Sequence, residues 1–331
     1  MFIPQNLKWL HNKRIYCDGT FSVCRSLKDF NQIYLFSIKQ QEDGRVATFP
    51  VIYFLLKNKD KQSYITVFNH LKLIVEAHTE KPLTPVAFHV DLEQAAVKAM
   101  EVVFPAVTIV LCSIHLLRGW HRNAITKCTH FFANTDQREF WTTLCGSIFM
   151  PLHNDQIRNN FLLYFDEVES KLPDPLVPGF SELKLYLVKF FFAKDAVFPL
   201  KYWDYNDMVV NQSENDTTTN SLETLNKKLK KKAGAGVMPL RRTLECMRDF
   251  AKDEQNIFEF RIGQNRLNRR RKPTELRYKN ITEQLELFHK MTLDEQVKGC
   301  VRFAHAFHLL NRTANKETLA FEFSPIELLD Y

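Results

Sequence analysis

A chain of 331 residues, 45% of them hydrophobic, can bury a large core and suits one domain with an insertion or two domains. Only nine glycines argue against a loop-rich or low-complexity chain, and no apolar run reaches the roughly 18–20 residues that span a bilayer. The net charge of +7 is unevenly placed: from Lys227 to Lys272 fifteen Lys and Arg face five Asp and Glu, so one segment rather than the whole chain is suited to a polyanion.

Residues 14–24, 31–39 and 47–57 are apolar and β-rich with short polar turns between them, which predicts an antiparallel meander of three strands. A helix is expected over 61–78, with Tyr64, Val67, Phe68, Leu71 and Val75 on one face. Pro82 and Pro85 lead into a fourth strand, 85–90, that ends at Asp91; a helix over 92–103 follows. The fully apolar run 107–111 reads as a buried strand, with a helix over about 113–126 behind it. Residues 127–200 look all-helical, with segments 139–149, 155–172 and 182–192 and a proline break at 172–179. A polar stretch rich in Thr and Asn, good helix N-caps, precedes a helix from about 219 to 232, and another helix runs over about 238–264. Residues 269–273 read as an exposed basic linker and 280–311 as a helical tail.

Three acidic residues stand in distinctive surroundings. Asp18 follows Tyr16-Cys17 and precedes Gly19-Thr20-Phe21; Asp91 closes Phe88-His89-Val90; Glu223 lies in Thr219-Asn220-Ser221-Leu222-Glu223. Carboxylates carried on neighbouring strand ends and a nearby helix can converge on two divalent cations about 3.5–4 Å apart, the arrangement of two-metal phosphoryl transfer. Each has a plainer reading: a turn or edge position for Asp18, an N-cap for Asp91, and competition from Asp207, Glu214 and Asp216 for the role of Glu223. Glu93 reads as first-turn stabilisation of its helix.

At these residues the chain resembles the transposases of Mutator-like elements, the MULE domain, a branch of the DDE group with a ribonuclease-H-like fold. The resemblance is carried in order by Asp18-Gly19-Thr20-Phe21, Leu27 to Tyr34, Phe49 to Leu56, Val90 to Ala96, Phe104-Pro105 and Cys112 to Leu117; it is dense from about 14 to 126 and returns at 219–223. It implies an α/β core, a mixed sheet with an antiparallel meander and crossover helices, interrupted by an all-helical insertion and followed by a helical C-terminal region. The division expected is 1–126 for the first part of the core, 127–200 for the insertion, 201–235 for the return with the third carboxylate, and 236–331 for the basic C-terminal region.

The resemblance also implies Mg²⁺ or Mn²⁺ on Asp18, Asp91 and Glu223, with DNA (transposon ends and target) as partner. It gives His115 of the Cys112-x-x-His115 pair an active-site or DNA-contact role. Zinc on that pair needs more ligands than two, with His121, Cys128 and His130 within plausible reach, so packing is its default reading. Lys227, Lys228, Lys230, Lys231, Arg241, Arg242, Arg269, Arg270 and Arg271 are the candidate phosphate contacts, against the plainer alternative of a solvated helical face. Trp203 offers a base-stacking surface or a core anchor, and the core is favoured.

A nuclear, membrane-free protein is expected, with room for a homodimer. Residues 1–13 are too few for the DNA-binding module that many such transposases carry ahead of the catalytic domain. The seven cysteines, odd in number and without a Cys-x-x-Cys pair, fit free thiols in a reducing compartment, and the N-terminus lacks the build of a secretory signal. Two rivals remain at this point: a transposase-derived DNA-binding or regulatory protein without catalysis, and a helical scaffold.

Overall fold

β-Branched and aromatic residues dominate the first apolar runs, and each run becomes a strand: β1 (Arg14–Thr20), β2 (Gln32–Glu42) and β3 (Arg45–Leu56). The computed structural model describes residues 1–21, 27, 29–42, 45–128, 130–206, 220–234, 239–263 and 268–269, and further on 279, 282–283, 286–288, 290–292 and 295–296. The three strands form the expected meander; β1 and β2 pair antiparallel with Asp18 opposite Leu35, and β2 pairs antiparallel with β3. A bulge between Phe36 and Ser37 accommodates Pro50, which has no N–H to give to a ladder.

β4 (Ala87–Val90) lies parallel beside β1, and β5 (Thr108–Leu111) parallel beside β4. The result is an open mixed sheet in the order β5-β4-β1-β2-β3, extended among the described residues by the two-residue β6 (Asn268–Arg269) on β3. Arg269 was expected in an exposed linker; its backbone instead adds to the sheet edge, because β3 reaches Arg45 and offers a partner there. Residues 270–273 and most of the expected helix 280–311 lie outside the described residues.

Helix α1 (Lys61–Thr79) starts where the Asp60 side chain accepts from the Ser63 N–H and stops where Glu80 turns left-handed. Its buried residues are Tyr64, Val67, Phe68, Leu71 and Val75, the five that the 3.6-residue period picked out. Phe68 sits among Tyr34, Phe36, Phe88 and Phe104, ring pairs worth about 0.5–1.5 kcal/mol each beyond their area. Helix α2 (Gln94–Val103) packs against α1, and α3 (Ser113–Lys127) leaves the end of β5.

The chain divides into two compact units. Met1–Trp120, Val188–Trp203 and Asp216–Arg270 form one; His121–Leu187, Asp204–Asn215 and Arg271–Tyr331 form the other. The second unit holds α4 (Thr135–Ser147), α5 (Asp155–Lys171) and α6 (Val177–Leu187), with Phe140, Phe161, Phe165 and Phe180 in its core. The proline break is shorter than the sequence suggested. Helix α6 begins at Val177 and takes Pro178 into its first turn, where a missing N–H costs nothing, and Gly179 leaves room for the Lys127 carbonyl, which a Cβ would meet at 2.3 Å.

In the first unit a π turn, Val188–Phe192, brings Phe191 and Phe192 against Trp120 and Trp203. Trp203 is buried and donates its indole N–H to the Phe198 carbonyl at 2.9 Å, so it is a core anchor as favoured. The sheet face carrying Tyr16, Leu35 and Tyr53 is covered by α7 (Asn220–Ala233) and α8 (Leu240–Gly263) through Leu222, Leu225, Leu229, Met247 and Phe250. No helix among the described residues is long and apolar enough to cross a membrane.

Candidate functional site

The parallel pairing of β1 and β4 decides where the first two carboxylates lie. Arg14 pairs with Ala87, Ile15 with Phe88 and Tyr16 with His89; counting on along both strands sets Asp18 beside Asp91 on the same face of the sheet. The pairing of β4 with β5 ends at Val90 and Leu111, so Cys112 comes next to Asp91 on the other side. Asp18 is 2% exposed, and Asp91 has an oxygen, Oδ1, that is buried without a hydrogen-bond partner among the described residues. Asp91 is not the helix cap that the sequence allowed: the N-cap position of α2 is Glu93, two residues on.

Helix α7 supplies the rest. Leu222, Leu225 and Leu229 are buried at helical spacing and fix its rotation. The adjoining face then carries Glu223 and, three residues later, Asn226. The Asn226 side-chain NH₂ donates to Asp18 Oδ2 at 2.8 Å. Glu223 Oε1 accepts from Arg118 Nη1 at 2.8 Å, and His115 Nε2 stands 3.5 Å from that same oxygen. His115 and Arg118 are three apart on α3 and so share a face.

Burial raises the pKa of Asp18 well above the ordinary carboxylate value, and the neighbouring charges of Asp91 and Glu223 raise it further while His115 opposes them. Asp91 is raised by burial too, against the counteracting His115 and Lys59. Burial works to lower the pKa of His115, but Cys112, Asp91 and Asp18 outweigh it and raise it to about 10, so the ring is an imidazolium at neutral pH. Burial, then Asp91 and Asp18, push the Cys17 thiol up, which keeps it protonated and inert.

Glu93 is not simply a first-turn charge. Its side chain makes no capping bond; it shares hydrogen bonds with Tyr64 and Gln32 beneath the carboxylates, and burial and Asp91 raise its pKa. Tyr64 in turn donates to Gln32 Oε1 at 3.0 Å.

Three members of the constellation, Arg118, Asn226 and the Gln32–Tyr64–Glu93 group, were not among the expected site residues. The first two had a signal, since each stands three residues after one that was expected, His115 and Glu223. The Gln32 group is joined across the sheet and α1 and leaves no local pattern.

As for cations, among the described residues no group of three or more His, Cys, Asp or Glu is placed to hold a metal ion. His121, in the second unit, stacks on Phe132 and meets Trp141 edge-on. A buried carboxylate, Asp18, and a half-buried one, Asp91, that raises its pKa and has a buried, unpartnered oxygen nonetheless have the donor chemistry a hard divalent cation takes. Glu223 completes that set in charge, though its Oε1 is held by Arg118.

The candidate phosphate contacts are only partly available. Lys228 Nζ reaches both Glu254 oxygens at 2.8 Å, Lys232 pairs with Asp253, and Arg241 and Arg242 pair with Glu245. Lys227, Lys230 and Lys231 are exposed on α7; Arg270 and Arg271 lie outside the described residues, and of Arg269 only the backbone is described.

Residues 15–119 match the family model of the MULE transposase domain. No curated protein matches the chain.

Proposed function

From a chain whose residues 15–119 are a MULE transposase domain, we infer a DDE-type DNA strand-processing protein in which Asp18, Asp91 and Glu223 are the site carboxylates. The observation that carries this reading is the parallel register of β1 and β4, which sets Asp18 beside Asp91 on the sheet face that α7, the helix of Glu223, covers. The strand order β5-β4-β1-β2-β3, with three antiparallel strands followed by two parallel ones, supports a ribonuclease-H-like core.

Asp18 and Asp91 would hold Mg²⁺ or Mn²⁺, with Glu223 from α7 as the third carboxylate. Such ions would supply Lewis-acid activation of an attacking water or 3′-hydroxyl and stabilisation of the leaving oxygen. Each protein group has its own part. Asn226 fixes the orientation of Asp18 through Oδ2. His115, its pKa raised beside Asp91 and Asp18, would supply positive charge next to the carboxylates. The burial of Asp18 and of Asp91 Oδ1 keeps water from these oxygens, which strengthens the charge interactions made there. The basic face of α7 would track the backbone of the DNA.

The test is Mn²⁺-dependent nicking of supercoiled DNA by the full chain. Wild type should nick, and Asp91→Ala should fall to the level seen without added cation. Nicking that survives Asp91→Ala would sink the assignment, and DNA binding without nicking by wild type would favour the non-catalytic DNA-binding reading.

A further inference from the structure

We propose that Arg118 is a positioning residue that competes with a divalent cation for the Glu223 carboxylate and has to release it when the cation binds. The proposal rests on the function inferred above.

Arg118 Nη1 and His115 Nε2 converge on one oxygen, Oε1 of Glu223, at 2.8 and 3.5 Å. The Arg118 and Glu223 side chains are only 21% and 13% exposed, so their attraction is screened far less than that of a surface pair.

A cation drawn to Asp18 and Asp91 would bring two positive charges next to a guanidinium that already holds the third carboxylate. The two arrangements therefore compete.

A simple supporting role makes the opposite forecast. If Arg118 merely oriented Glu223 for the metal, its loss would weaken cation binding, as loss of a ligand's hydrogen-bond partner does. Competition predicts tighter binding. A contact closed nine-tenths of the time weakens the apparent affinity about ten-fold, which is the gain to expect on removing it.

The experiment is a titration of the full chain with Mn²⁺ alone, free ion read by electron paramagnetic resonance, for wild type, Arg118→Gln, Arg118→Lys and Asp91→Ala. Far-UV circular dichroism checks the fold of each. The expected result is loss of binding in Asp91→Ala, about ten-fold tighter binding in Arg118→Gln, and a smaller gain in Arg118→Lys, which keeps a charge but not the guanidinium. Arg118→Lys carries the test if Arg118→Gln does not fold. Unchanged or weaker binding in the Arg118 variants, with Asp91→Ala still defective, would overturn this proposal and leave the site assignment standing. Binding that is absent in wild type or indifferent to Asp91 would overturn both.

Discussion

Asp18 is a carboxylate 2% exposed, tied through one oxygen to Asn226 and facing the charge of Asp91. Its folded pKa lies above its unfolded one, so the folded state binds the extra proton and stability falls as pH rises from the ordinary carboxylate range through the raised value. His115 acts in the same direction. Its raised pKa gives stability that is fully present below about 6.5 and is lost as pH climbs through about 10. The cation-free protein should therefore weaken steadily toward alkaline pH. Asp18→Asn removes the first contribution while keeping an oxygen to accept from Asn226. At pH 8 it should gain on the order of 1–3 kcal/mol, about 2–4 °C in Tm for a chain of this length, and lose part of its pH dependence. A lower Tm, or an unaltered pH profile, would contradict this account. The neighbouring glycine has an equally local cause. A Cβ at Gly19 would stand 1.7 Å from Nε2 of the buried Gln32, whose Oε1 is occupied by Tyr64, so the Asp-Gly pair is a packing requirement inside a strand rather than a turn.

At the scale of elements, helix α7 shows how one segment serves packing, site and charge together. Leu222, Leu225 and Leu229 face the sheet, Glu223 and Asn226 flank them, and Lys228 closes on Glu254 of α8. The Glu254 side chain is 9% exposed, so Lys228 is what satisfies an otherwise buried charge. Lys228→Ala should cost about 1–3 kcal/mol in urea unfolding, whereas Lys231→Ala, on the exposed side, should stay within about 0.5 kcal/mol. Equal effects would mean that the Lys228 pair carries no such burden. This division of labour was half legible in sequence. The Thr-Asn stretch pointed to a helix from about 219, which runs over Asn220–Ala233, and the apolar runs gave all five principal strands in order. The partners of the charges were not legible. The pairing of Lys228 with Glu254, of Arg118 with Glu223 and of Asn226 with Asp18 spans 26, 105 and 208 residues, and a one-dimensional pattern holds no information on such contacts. Pro178 misled for a related reason: a proline breaks a helix interior but is welcome in a first turn, and only the position of the turn tells the two apart.

For the molecule as a whole, the division of the chain places the carboxylates and the basic segment as far as Arg270 in the same unit, since Asp216–Arg270 joins Met1–Trp120. A net charge of +7 with fifteen Lys and Arg between 227 and 272 invites the expectation of very salt-sensitive DNA binding. If all fifteen met phosphate, log K would fall against log salt with a slope of about −13. The structure argues for much less. Lys228, Lys232, Arg241 and Arg242 already face Glu254, Asp253 and Glu245, and a duplex can touch only one side of a helix pair. A slope of about −3 to −6 is expected for the full chain on a duplex followed by fluorescence anisotropy. Lys231→Glu should make that slope shallower by about 1 and weaken binding on every sequence alike, because a phosphate contact carries no base information. A slope near zero in wild type would remove the electrostatic basis for DNA binding by α7. A steep slope that Lys231→Glu leaves untouched would move the contact to the basic residues beyond Arg269. Because the same helix delivers Glu223, a strand held along its exposed lysines runs past the carboxylates, and the loss of binding in Lys231→Glu should be matched by a proportional loss of nicking at limiting DNA.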